Sequence, residues 1–138
     1  MDTEPPESPG QPSFIIDMSV NFAKIYAQLP ANQSDFIDDF IDHVEEKGLI
    51  DLPGRLKQSD AIPPSDRDWL VKVKYAQKYN LWHYHAGYPS WDMTKPVGDW
   101  TSQWVLHMMM HPCGARSTLV HWDLHPPFNL PKKPQLFP

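Results

Sequence analysis

Six of the seven histidines in this 138-residue chain, all but His43, fall after residue 80, and most sit at alternating positions. LWHYH carries His83 and His85, WVLHMMMH carries His107 and His111, and HWDLH carries His121 and His125 around Asp123. Imidazole, with an ordinary pKa of about 6.5, both takes and gives protons near neutrality. Across an RNA phosphodiester, one such ring can deprotonate a ribose 2′-hydroxyl while another protonates the leaving 5′-oxygen, with Arg or Lys holding the phosphate charge. Two further readings stay open on the residues alone. His83-x-His85 with His121-x-Asp123-x-His125 has the donor types of a metal site; alternatively, the rings are structural members of an aromatic-rich sheet.

The choice depends on which residues share a face. In a strand, neighbouring side chains point to opposite sides. LWHYH then sets Trp82 and Tyr84 against Leu81, His83 and His85. WVLHMMMH sets Trp104, Leu106, Met108 and Met110 against Val105, His107, Met109 and His111. STLVHWDLH sets Thr118, Val120, Trp122 and Leu124 against Leu119, His121, Asp123 and His125. Adjacent strands would gather the imidazoles and Asp123 on one surface, with Asp123 placed to accept an imidazole N–H. The tryptophans on the opposite surface, Trp82, Trp104 and Trp122, read as core, and the methionines as packing.

The elements that must hold these strands are legible upstream. FIIDM reads as a short strand. SVNFAKIYAQLP has apolar residues at helical spacing and stops at Pro30; SDFIDDFIDHVEEKG gives a second amphipathic helix, with Ser34 as N-cap and Gly48 as its end. DLPGRLKQSDAIPPSD, with its Pro-Gly and Pro-Pro pairs, reads as a long loop carrying Arg55 and Lys57. DWLVKVKYAQKYN fits either periodicity, and its Ala-Gln-Lys content favours a helix. PCGAR joins the last two strands as a hairpin, and the Pro-rich end is expected to run extended over the surface.

Composition bounds the rest. The length suits one domain, divided as an Asp/Glu/Pro-rich tail over 1–12 expected to be disordered, a folded unit over 13–128 and an extended tail over 129–138. No apolar run reaches the ~20 residues of a membrane span, and the N-terminus lacks the pattern of a secretory signal, so a cytoplasmic protein is expected. The lone Cys113 is read as inert. Net charge is −5, but residues 1–68 hold five Lys and Arg against fourteen acids, whereas residues 69–138 hold seven against three. The second half is therefore the one suited to an anion.

The His-x-His strand, the Thr101-Ser102 pair before the next strand in GDWTSQWVLH, and the histidine that follows the last strand in HWDLHPPF resemble the YafO-type members of the RelE/ParE-like toxins of bacterial type II toxin–antitoxin systems. The resemblance covers roughly residues 13–128. It implies an α+β fold in which a small antiparallel sheet carries two N-terminal helices on one face. It also implies a ribosome-associated mRNA endonuclease that works by metal-independent 2′-hydroxyl attack, without a cofactor and with a cognate antitoxin as partner. On that reading His83 and His85 are the foremost acid/base candidates, followed by His107 and His121. Arg116 would steady the phosphate, and Arg55, Lys57, Tyr88, Trp91 and Trp100 would contact RNA. No metal ligand is assigned. The other readings are a non-enzymatic interaction domain and a His/Asp metal-binding sheet.

Overall fold

A computed structural model describes residues 14–137; the tail expected over 1–12 lies outside them. The elements run β1 (Ile15–Met18), α1 (Val20–Gln28), α2 (Ala31–Lys47), β2 (Leu56–Gln58), α3 (Trp69–Lys78), β3 (Leu81–His85), β4 (Trp104–Met110), β5 (Arg116–Leu124) and α4 (Lys133–Leu136). The strands form one sheet in the order β1-β5-β4-β3-β2. The α+β class holds, but the expected small antiparallel sheet with two helices does not. The sheet is mixed, because β1 pairs in parallel with β5, and four helices accompany it. No short turn links β1 to β5, so nothing local imposes antiparallel pairing. Asp17 instead fixes the match by accepting from the Thr118 hydroxyl and the Arg116 guanidinium.

Local chemistry accounts for most boundaries. Ser19 caps α1 by accepting from the Phe22 amide at 3.1 Å. α2 starts three residues before the expected Ser34, with Pro30 as its N-cap, and ends at Gly48, whose φ of 72° suits glycine. The region read as a loop contains β2, an edge strand pairing Lys57 with His83. The segment over 129–138 is not wholly extended, since α4 makes a helical turn that buries Leu136.

Two cores result, one on each side of the sheet. Phe22 of α1 and Ile37, Phe40 and Val44 of α2 pack on Tyr84, Leu106, Met108, Leu119 and Trp122. On the other side Ala76 of α3 and Leu136 of α4 meet Leu81 and Val120. A β-bulge separates the two sets: His107 pairs with His121 but Met108 pairs with Leu119, leaving Val120 as the extra residue. The expected faces of Leu119 and Val120 are thereby exchanged, while His121 stays on the side foreseen for it. Among the described residues no helix is long and apolar enough to cross a membrane.

Candidate functional site

Sheet register builds the site. Antiparallel pairing sets His83 opposite His107 and His107 opposite His121, one row across three strands, and the next row holds His85, Val105 and Asp123. Just past β5 the His125 amide donates to the Gln103 carbonyl at 2.7 Å, which carries the chain alongside the segment that precedes β4. The ring of His125 completes a near-equilateral triangle. Ring centroids lie 5.9 Å apart for His83 and His85, 5.6 Å for His83 and His125, and 5.4 Å for His85 and His125. One ring nitrogen from each lies within 4.8 Å of the other two.

Two serines hold the first two rings. Ser59, buried just after β2, has Oγ 2.9 Å from His83 Nδ1. Ser102, also buried, has its carbonyl 2.8 Å from His85 Nδ1 and its amide 3.1 Å from the same atom. Both cannot be hydrogen bonds in one tautomer. The shorter contact, with Nδ1–H donating to the carbonyl, leaves the lone pair on Nε2. Ser102 is itself pinned, its hydroxyl accepting from the Gly87 amide and donating to the Trp104 carbonyl. The turn into β2 approaches so closely that a Cβ on Gly54 would lie 2.0 Å from the His85 carbonyl oxygen and 2.5 Å from the Trp91 ring. Only glycine fits there. This contact seats the neighbouring Arg55, whose carbonyl accepts from the His85 amide at 3.0 Å.

The triangle lies where two cavities meet. One, of about 210 Å³, is lined by Arg55, Lys57, Ser59 and Phe128 together with all three histidines. The other, of about 480 Å³, is lined by Trp91, Asp92, Thr101 and Ser102. Arg55, His85 and His125 border both. Burial pushes all three imidazoles towards the neutral form. His83 falls to about 3, first through burial and then through His85, His125, Lys57 and Arg55. His85 is lowered by burial, partly offset by its bond to Ser102, and His125 by burial and then Lys57. Neutral rings beside Arg55 and Lys57 set nitrogen lone pairs next to two cations, of which Arg55 also lies 3.8 Å from the Asp99 carboxylate.

The other sequence candidates divide. His107 shares the face but is 1% exposed, lies under the Phe128 ring, has neither nitrogen hydrogen-bonded and lines neither cavity. His121 is turned towards Gln135 and lines a separate cavity of about 1040 Å³ between α3 and the C-terminal segment. Asp123 lies 3.8 Å from His121, too far to orient it by a hydrogen bond. Arg116 is at the far end of β5, paired with Asp17, and His111 bonds Thr118 there. Neither belongs to the site. Tyr88 packs among Phe36, Trp104 and Trp122 on the α2 side and lines neither cavity. Trp91 does border one cavity, with Trp100 packed behind it.

Among the site residues, His125 was not singled out from sequence as catalytic, although its alternation with His121 and Asp123 was the available signal. Ser59 had no sequence signal, nor did Phe128, whose ring lies 4.7 Å from His83 and 4.9 Å from His125. Ser102 carries a sequence signal only as part of the Thr101-Ser102 pair. Compared with family models, curated proteins and solved structures, the chain matches none of them.

Proposed function

We propose that the protein is an endoribonuclease of the RelE-like toxin kind, cleaving messenger RNA at the ribosome by 2′-hydroxyl attack with the histidine triangle as acid and base. The observation that carries this reading is three imidazoles gathered at the junction of two cavities, with Arg55 and Lys57 beside them. A phosphodiester at the junction would set the flanking nucleotides along the two cavities, with Trp91 forming part of one wall.

His85 is the base in this scheme. Its Nδ1 donates to the Ser102 carbonyl, so Nε2 is free to accept the 2′-hydroxyl proton. The 2′-oxygen then attacks phosphorus, the bond to the 5′-oxygen breaks, and a 2′,3′-cyclic phosphate forms. His125, the most accessible ring of the three, is the acid. Burial and Lys57 hold it neutral in the free protein, and the negative charge of bound phosphate raises its proton affinity again. His83, neutral down to about 3, is the ring least suited to carry a proton and serves to position the other two. Arg55 and Lys57 stabilise charge growing on the phosphoryl oxygens. In this proposal a cognate antitoxin would silence the enzyme by laying an acidic segment across the same cations.

Inducible expression with transcript-end mapping tests the proposal. Growth arrest and new transcript ends are expected from the wild type, and neither from His85→Ala or His125→Ala variants that fold normally. Unchanged transcript ends on induction of the wild type would remove it.

A further inference from the structure

The histidine triangle has a geometry that proton transfer alone does not require. Three imidazole nitrogens within 4.8 Å of one another surround a common point. In a tetrahedral zinc site with Zn–N near 2.05 Å, the nitrogens are about 3.3 Å apart. Closing from the observed limit to that spacing takes a displacement of about an ångström per ring, within the reach of small side-chain rotations. The supporting contacts are also those of metal-bound histidine. His85 donates its Nδ1–H to a backbone carbonyl, and His83 Nδ1 is engaged by a buried serine hydroxyl. Such partners fix ring orientation and leave the second nitrogen for the ion. Among the described residues His125 Nδ1 is buried without a hydrogen-bond partner.

We infer that His83, His85 and His125 form a binding site for a borderline divalent ion of the zinc class, holding it through three imidazole nitrogens with a fourth position open to water or an anion. The donor set selects the ion. Among the described residues no carboxylate joins the cluster, so hard, oxygen-seeking Mg²⁺ and Ca²⁺ find no ligands, whereas Zn²⁺, Co²⁺ and Cu²⁺ accept imidazole readily. Arg55 and Lys57 line the same cavity and oppose a dication, which limits affinity and favours an anion in the fourth position. Asp123, proposed from sequence as a fellow ligand, stands with His121 outside the set. The consequence for RNA cleavage rests on the nuclease reading above: an ion on these nitrogens occupies the lone pairs that would move the proton, so zinc would act as a reversible inhibitor.

The test is titration of the full-length, chelator-treated protein with Co²⁺, followed by its visible d–d absorption, and then displacement by Zn²⁺. One equivalent of Co²⁺ should give a saturable band that one equivalent of Zn²⁺ removes. His125→Ala should weaken binding by about 100-fold, and His85→Asn comparably, whereas His43→Ala should leave it unchanged, since His43 instead bonds the Ile50 carbonyl. Urea unfolding of each variant separates lost ligands from lost folding. Absence of a saturable one-to-one band in the wild type, or a band that survives in folded His125→Ala, overturns the site. RNA cleavage that continues with the site full of zinc would instead overturn the catalytic assignment of these residues and leave the metal site standing.

Discussion

Lowering the pH from about 7 to about 5 should destabilise the protein, and His83 sets a minimum for the effect. Its ring is 5% exposed, and burial with two neighbouring imidazoles holds its folded pKa at about 3 against 6.5 in the unfolded chain. Between those values the unfolded state binds a proton that the folded state refuses. The stabilisation from this group is therefore complete above about pH 6.5 and is lost as pH falls towards 3. At pH 5 the gap is about 1.5 units, a loss of about 2 kcal/mol, which is a large share of the ~5–15 kcal/mol that holds a typical domain together. His85, His107, His121 and His125 are shifted in the same direction and add to the loss. The carboxylates of Asp17, Asp66 and Asp92, held below the ordinary range, withdraw their support only at lower pH, so the windows are separable. Urea unfolding followed by tryptophan fluorescence at the two pH values measures the effect. His83→Gln, which retains a hydrogen-bonding group near Ser59, should reduce the pH dependence by about 2 kcal/mol. Equal stability at both pH values, or a Gln variant with the wild-type slope, would refute a buried neutral His83.

Four other outcomes are expected. Replacing His107 with Leu should leave stability unchanged or raise it by about 1–3 kcal/mol in urea unfolding, because the buried imidazole has two unpartnered nitrogens. Gly54→Ala should lower both the thermal midpoint and the cleavage rate, since its methyl would displace the His85 carbonyl and Trp91. The pH profile of kcat/KM should peak on the acid side of neutrality, because His85 and His125 are both lowered in the free protein. Arg116→Ala should leave cleavage intact while Arg55→Ala reduces it about 100-fold, comparable to the loss of one transition-state hydrogen-bond donor.

Alternation alone was enough to foresee that imidazoles from β3, β4 and β5 share a face, because a half-apolar strand fixes its own orientation. The hairpin between β4 and β5 and the helix α3 were legible for similarly local reasons. What was missed depends on partners far along the chain. The bulge that moves Val120 is set by the match of β5 to both β4 and the cores on either side, which no single strand encodes. Arg116 looked free until β1, 99 residues upstream, brought Asp17 to it. His107, ranked after His83 on the same expected face, is sealed only by the return of the C-terminal segment, with Phe128 over the ring. Lys57 and Arg55 were legible as candidates for RNA contact, but β2 is three residues long and lies between Pro53-Gly54 and Pro63-Pro64, so its pairing with β3 left no pattern to read. His125 follows the last strand residue and comes into the triangle only through the bond of its amide to Gln103.

The most direct test of the central claim is the chemistry of the new RNA ends. Protein freed of metal by chelation and then added to ribosomes programmed with a short RNA should cut it to leave a 2′,3′-cyclic phosphate and a 5′-hydroxyl, seen by mass spectrometry. It should spare the same oligonucleotide carrying a single 2′-deoxy substitution at the cut site, and His125→Ala should abolish the product. A 5′-phosphate end, or equal cutting of the deoxy-substituted strand, would contradict proton transfer by the histidine triangle.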